Sequence, residues 1–184
     1  NKMTSLVAID EAGRGPVIGP MVVCGVLIDD KEQFKLKVLG VKDSKLLSIK
    51  KREEIYKILI KDLKYVAKVV YPKEIDKAVL SYSTNLNWLE ADKSIEILNE
   101  LKPERAILDC PSNNIKAFVH YIAERVHKSI DIKAEFKADM KYLAVGAASI
   151  IAKVTRDREI QKIKDKYKID FGSGCQQSVL YALE

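Results

Sequence analysis

Short apolar runs broken by polar and glycine-rich punctuation dominate the start of the chain. Leu6-Val7-Ala8-Ile9 runs without interruption into Asp10-Glu11, and after the loop 12–20, which holds Gly13, Arg14, Gly15 and Gly19, a second apolar run extends from Met21 to Ile28. Runs of this length bounded by glycine and proline predict two strands joined by a loop that exposes its backbone. Asp29-Asp30 begin a turn, and a short helical stretch to about Leu39 is closed by Gly40. Ser48 predicts the N-cap of a helix from about Ile49 to Asp62, with Ile55, Ile58 and Leu59 on its inner face. The β-branched and aromatic run Tyr65 to Tyr71 predicts a strand ended by Pro72, and that proline in turn suits the first turn of a helix to Val79.

Further on, a helix is expected between Ser81 and Leu98, with Asn85 placed before its start. Arg105 to Leu108 repeats the logic of the opening: a short apolar strand ends in one carboxylate, Asp109, and Pro111 stops it before a helix that begins near Asn113. Ile130 to Phe136 is a fifth strand candidate. Residues 137–142 then lead into a helix apolar on all sides from Leu143 to Val154, the mark of burial, and amphipathic and charged to Lys166. The order β, β, α, β, α, β, α, β, α predicts an α/β fold, a mixed β-sheet flanked by α-helices. With 184 residues and no repeat, low-complexity tract or linker, residues 1–184 are expected to form a single domain.

Carboxylates at strand ends are the candidate chemistry. Successive strand residues point to opposite faces, so Asp10 and Glu11 converge on one ion only if the strand is ending there. If the strands ending at Asp10 and Asp109 are parallel neighbours, these two acids lie side by side. Each acid also has a plainer reading: Asp10-Glu11 as a solvated turn, Asp109 as the cap of the next helix, Asp139 as an N-cap. Arg14 between two glycines adds a planar fork suited to phosphate, and glycine permits close approach of a ligand to the backbone.

Charge changes the picture next. The net charge is +6, but residues 31–73 carry 13 basic and 5 acidic side chains, which leaves the rest of the chain slightly acidic. A basic segment beside acidic strand ends suits a polyanion gripped outside a metal centre; the plain alternative is a solvated helical face. Cys24, Cys110 and Cys175 are widely spaced and form no C-x-x-C pair, so reduced thiols are expected, the first two buried. His120 and His127 lie seven apart without nearby cysteines, which argues against zinc. No signal-like opening or membrane-length apolar run is evident, and a cytoplasmic protein with no membrane partner is expected.

Five stretches together resemble one family. D-E-A-G-R-G-P at Asp10–Pro16 followed by G-P, the D-S-K-x-L segment at Asp43–Leu47, N-L-N-x-x-E-A at Asn85–Ala91, A-D-x-K-Y at Ala138–Tyr142 and A-A-S-I-I-A-K-V-T-R-D at Ala147–Asp157 are similar to the motifs of the type 2 ribonucleases H, ribonuclease HII in its single-chain form. The resemblance implies a ribonuclease H-like fold and makes Asp139 the fourth carboxylate of a site with Asp10, Glu11 and Asp109. It implies two divalent ions, Mg2+ or Mn2+, which in such sites sit roughly 3.5 to 4 Å apart. The implied reaction is endonucleolytic hydrolysis of the RNA strand of RNA:DNA hybrids, and at ribonucleotides embedded in duplex DNA, leaving 5′-phosphate and 3′-hydroxyl ends in the service of DNA replication and repair.

Backbone groups of Gly13, Arg14 and Gly15 are the implied readers of the 2′-hydroxyl that distinguishes ribose. Ser44, Lys45 and Asn85 are further candidate substrate contacts, although the first two equally fit a capped turn and Asn85 a helix cap. A monomer is expected. Two departures stand out: Cys175 occupies the place of the family's tyrosine, and the chain stops at Glu184, so that the family's C-terminal helices look missing or shortened. Unless Tyr181 or Tyr142 substitutes, loss of that ring is expected to weaken cleavage at a single embedded ribonucleotide. Two other classes of function are compatible with parts of the pattern: a nucleic-acid-binding protein of this fold that does not cut, and a magnesium-dependent phosphatase of small esters, which would have no use for the basic segment.

Overall fold

Side chains of one strand point alternately to opposite faces of a sheet, and along β1 (Leu6–Ala12) this alternation divides the core in two. The computed structural model describes residues 4–15, 18–41 and 46–169. Within them β2 (Met21–Ile28), β3 (Lys64–Val70), β4 (Arg105–Asp109) and β5 (Asp131–Glu135) join β1 in a five-stranded sheet of order β3-β2-β1-β4-β5. The β1–β2 and β2–β3 pairs are antiparallel, whereas β1–β4 and β4–β5 are parallel, so the sheet is mixed as the element order predicts.

Ala8 of β1 and Val22, Cys24 and Val26 of β2 pack against α1 (Asp30–Leu39), α2 (Ile49–Asp62) and α7 (Leu143–Tyr167). Val7 and Ile9, with Met21 and Val23, pack on the other face against α3 (Pro72–Val79), α4 (Leu86–Leu101) and α5 (Ile115–Ala123). The result is three layers, helix on sheet on helix. The apolar half of α7 is buried as predicted and rich in alanine, at 144, 147, 148 and 152, and Gly146 leaves room for the Val41 carbonyl, 3.0 Å from where a Cβ would stand. Gly25 does the same for α4, since a Cβ there would come within 2.3 Å of the Ile97 side chain.

The start signals in the sequence are real caps. Asp29 accepts from the N–H groups of Lys31 and Glu32 while Glu32 reaches back to the Asp29 N–H, a reciprocal capping box. Ser48 accepts from the Lys51 N–H at 3.1 Å. The inner face of α2 differs from expectation: Ile55, Tyr56 and Leu59 are buried and Ile58 is 39% exposed. The stripe tips toward Tyr56 because Arg158 of α7 stacks on its ring and donates to its hydroxyl at 3.0 Å. Cys24 and Cys110 are buried free thiols, while Cys175 lies outside the described residues. His127 falls beyond the end of α5, so the two histidines do not share a helix face. Among the described residues no helix is long and apolar enough to cross a membrane.

Candidate active site

The parallel pairing of β1 with β4 stops at Ile9↔Leu108, one residue short of an acid on each strand. Asp10 and Asp109 therefore lie as neighbours where the two parallel strands separate, each still paired on its other edge, Asp10 with Cys24 and Asp109 with Glu135. So β1 does not end at Asp10 as the sequence suggests but runs on to Ala12. Here the chain order also reverses, β2 and β3 lying to one side of β1 and β4 and β5 to the other, the place where open α/β sheets form a crevice. On its other edge β1 remains paired to β2 as far as Ala12↔Val22, which holds Glu11 in line. Asp10, Glu11 and Asp109 each offer a carboxylate oxygen within 4.8 Å of the others.

Three oxygen donors at this separation fit a hard divalent ion such as Mg2+ or Mn2+. The electrostatics agree. Burial, then the Glu11 and Asp109 carboxylates, push the pKa of Asp10 well above the ordinary carboxylate range, as crowding of like charges does. Asp109 is not the cap of the following helix: Asn114 caps α5, and Asp109 instead accepts from the Ala138 N–H at 2.7 Å. That bond ties the end of β4 to the start of α6 (Ala138–Lys141), whose second residue is the buried Asp139. Asp139 caps neither α6 nor α7, and it stands outside the 4.8 Å group.

Glu11 has the parity of Val7 and Ile9 and so faces α4, where sequence reasoning had marked a motif but missed its acid. Glu90, only 3% exposed, accepts from the Arg14 guanidinium at 2.5 Å, and Asn87 one turn earlier accepts from the same group. Burial and then the neighbouring Glu11 push the pKa of Glu90 well up, while Arg14 pulls it back. The planar fork expected to meet phosphate is thus occupied by two side chains of α4. The signal that could have found Glu90 was the pairing of a glutamate in one family-like motif with the arginine of another.

The loop itself is held from below as well. Gly13 has φ +85°, and a Cβ there would lie 2.3 Å from Nε of Arg156, a buried residue of α7 that donates to the Ile18 carbonyl at 3.0 Å. Gly15, with φ +92°, is exposed and has open space where a Cβ would point. Beside Glu11, Ala12 and Gly13 opens a cleft of about 300 Å³ whose other wall is Arg52 of α2 with Ser149 and Lys153 of α7. Asn85 caps α4 by accepting from the Trp88 N–H at 3.1 Å. Ser44 and Lys45 lie outside the described residues.

This chain resembles known proteins in sequence and in structure. A model of the ribonuclease HII family matches residues 7–179. Ribonuclease HII of Pyrococcus horikoshii is 47% identical over 169 residues, 90% of this chain and 74% of that protein. The Methanocella arvoryzae enzyme of the same name is 43% identical over 94% of this chain and 77% of its own length. The crystal structure of ribonuclease H2 from Pyrococcus horikoshii OT3 superposes with a TM-score of 0.83 at 46% identity, covering 92% of this chain and 80% of that one. The ribonuclease HII in a structure of its complex with PCNA from Archaeoglobus fulgidus gives 0.87 at 40% identity, covering 96% and 87%. At this likeness over most of its length, the chain belongs to the ribonuclease HII family and is a hydrolytic endoribonuclease.

Proposed function

We propose that the chain cuts the RNA strand of RNA:DNA hybrids, and the phosphodiester at ribonucleotides embedded in duplex DNA, leaving 5′-phosphate and 3′-hydroxyl ends. The observation that carries this reading is the convergence of Asp10, Glu11 and Asp109 at the sheet's switch point, beside a loop whose backbone can be approached closely. Asp10, Glu11, Asp109 and Asp139 would hold two Mg2+ or Mn2+ ions. When bound, such ions supply charge stabilisation at the phosphate and a more acidic water. Lining the cleft beside Glu11, Arg52 and Lys153 take the flanking phosphates of the duplex, and Gly13, Arg14 and Gly15 present backbone groups to the 2′-hydroxyl. Nothing favours a protein that binds without cutting or a phosphatase of small esters.

The same reading makes residues 1–184 one catalytic domain that works as a monomer in the cytoplasm during replication and repair. Ser44, Lys45 and Asn85 remain substrate contacts within it, with Asn85 serving as cap at the same time. Labelled duplexes carrying no, one or several consecutive ribonucleotides, incubated with Mg2+ or Mn2+, test it directly. Cleavage is expected only where ribonucleotides are present, and more weakly at one than at several because Cys175 offers no ring. Cutting of the all-DNA duplex, or of none of the three with either ion, overturns the proposal.

A further inference from the structure

Arg14 sits on a loop but is held by a helix, and the helix is well anchored. Asn85 caps α4, Trp88 stacks on Tyr121 of α5 with ring centroids 4.6 Å apart, and the Tyr121 hydroxyl donates to Asp92 of α4 at 2.7 Å. Asn87 and Glu90, three residues apart, share one side of this helix and reach the same guanidinium. Glu90 is buried, whereas Arg14 keeps 28% of its side chain exposed, so the acid is the fixed partner and the arginine the arm that comes to it. With Gly13 seated on Arg156, the loop is gripped at two successive residues.

We propose that Glu90 is a positioning residue: with Asn87 it anchors Arg14, and through that arm it fixes the backbone of residues 13–15 against the ribose and so sets the discrimination for a 2′-hydroxyl. This rests on the proposed role of the loop. Glu90 touches neither the ribose nor the phosphate in this scheme. It also explains why an arginine, rather than a third small residue, stands between two glycines that would otherwise leave the loop without a fixed conformation.

The test compares kcat/KM on two duplexes that differ only in a 2′-hydroxyl or a 2′-fluoro group at the scissile ribonucleotide, for the parent chain and for Glu90→Ala, Glu90→Gln, Arg14→Ala and Glu90→Ala/Arg14→Ala. Each alanine variant is expected to lose roughly ten- to a hundred-fold on the hydroxyl substrate, the scale of a lost charge-assisted hydrogen bond. The ratio between the two substrates should collapse with it. The double variant should lose no more than the worse single one, because both changes release the same arm. Glu90→Gln keeps an acceptor for Arg14 and should hold the ratio within about threefold of the parent, a fraction of one such bond. Arg14 is partly exposed and lies on a loop, so Arg14→Ala reports even if the Glu90→Ala chain folds poorly. Losses that multiply in the double variant, or a ratio unchanged in Arg14→Ala, overturn the inference while the proposed function stands. A parent chain that cuts neither substrate overturns both.

Discussion

β1 and β4 lie side by side, run in the same direction and part just before a carboxylate on each, Asp10 and Asp109, yet the two acids are held by opposite means. At β4 the backbone does the holding: Ala138 donates to Asp109, the Cys110 N–H goes to the Glu135 carbonyl at 2.9 Å, and Pro111 stops the strand. At β1 the acid is buried among other acids, and the loop behind it is fixed by two guanidinium groups, Arg14 on Glu90 and Arg156 on the Ile18 carbonyl. One end is therefore satisfied within the protein, and the other carries a charge excess that a cation would relieve. The difference separates a candidate ligand that is merely placed from one that is placed under electrostatic load.

Neutralising each acid in turn is the strongest way to break the comparison. Asp10→Asn and Asp109→Asn each remove a ligand charge without changing shape, so turnover at millimolar Mg2+ should fall by at least about a thousandfold, several kcal/mol of lost stabilisation. Duplex binding should survive in both. Their melting temperatures in EDTA at neutral pH should part company: Asp10→Asn should rise above the parent because a crowded buried charge is gone. Asp109→Asn should stay within about 0.5 kcal/mol, since the amide oxygen still accepts from Ala138. Near-normal turnover of Asp109→Asn would reduce Asp109 to a backbone buttress, and equal shifts would erase the contrast.

The two glycines of the loop give a second, smaller contrast. Alanine at either position inherits a positive φ, a strain of roughly 1 to 3 kcal/mol. At Gly13 the new methyl also strikes Arg156 and lies 2.6 Å from the Pro20 carbonyl, whereas at Gly15 it meets open space. Gly13→Ala should consequently lower the melting temperature more than Gly15→Ala and cost more in kcat/KM. Identical losses would mean that Arg156 is not a firm floor under the loop.

Much of this arrangement was legible in the residues, and what escaped did so for a physical reason. Uninterrupted apolar runs followed by acids mark β1 and β4, because a strand buried on both faces needs no alternation. Ser48 and Asn85 were readable as helix starts because capping is local chemistry, whereas Asp29 was legible only as the start of a turn and its capping box with Glu32 was not. Parallel pairing of β1 with β4 was a conditional guess, since the two strands lie almost a hundred residues apart. Glu90 and Arg156 stood inside quoted motifs, but their roles escaped: they meet the loop across 76 and 138 residues, and nothing local in the sequence shows that contact. Asp139 looked like a cap, but Lys137 and Tyr142 occupy the cap positions of the helices around it.

The electrostatic load at β1 also predicts a pH signature. Asp10 and Glu90 both have folded-state pKa values raised above those of the unfolded chain, chiefly by burial. The native state then keeps protons that the unfolded state gives up, so the metal-free protein loses stability as pH rises from about 4 through the folded-state values. A bound cation acts in the opposite sense, because it favours the charged carboxylates and stabilises by mass action, by about 2.7 kcal/mol at a hundred times its Kd. Added Mg2+ should raise the melting temperature more at pH 8 than at pH 5, and Asp10→Asn should flatten that difference. An Mg2+ effect independent of pH would show that the acids at β1 are not the ones that bind it.

The smallest expected effect lies in the cleft beside the end of β1. Arg52 and Lys153 form its basic wall, and both approach Asp157, at 3.9 and 3.1 Å, so the local excess is one positive charge rather than two. If duplex phosphates dock there, each cation releases counterions on binding, and Lys153→Ala should flatten the slope of log affinity against log salt by about one unit. Because phosphate carries no sequence information, affinity should fall by the same factor on hybrids of different sequence. Arg52→Ala should do slightly more, since its guanidinium also donates to the Leu47 carbonyl at 3.2 Å and steadies the start of α2. Lys116, exposed on α5 across the sheet, is the control: Lys116→Ala should leave the slope unchanged. A slope equally altered by Lys116→Ala would attribute salt dependence to net charge at large. An unaltered slope in Lys153→Ala would move the duplex path away from the α2–α7 wall, and leave the carboxylates served only from the α4 side.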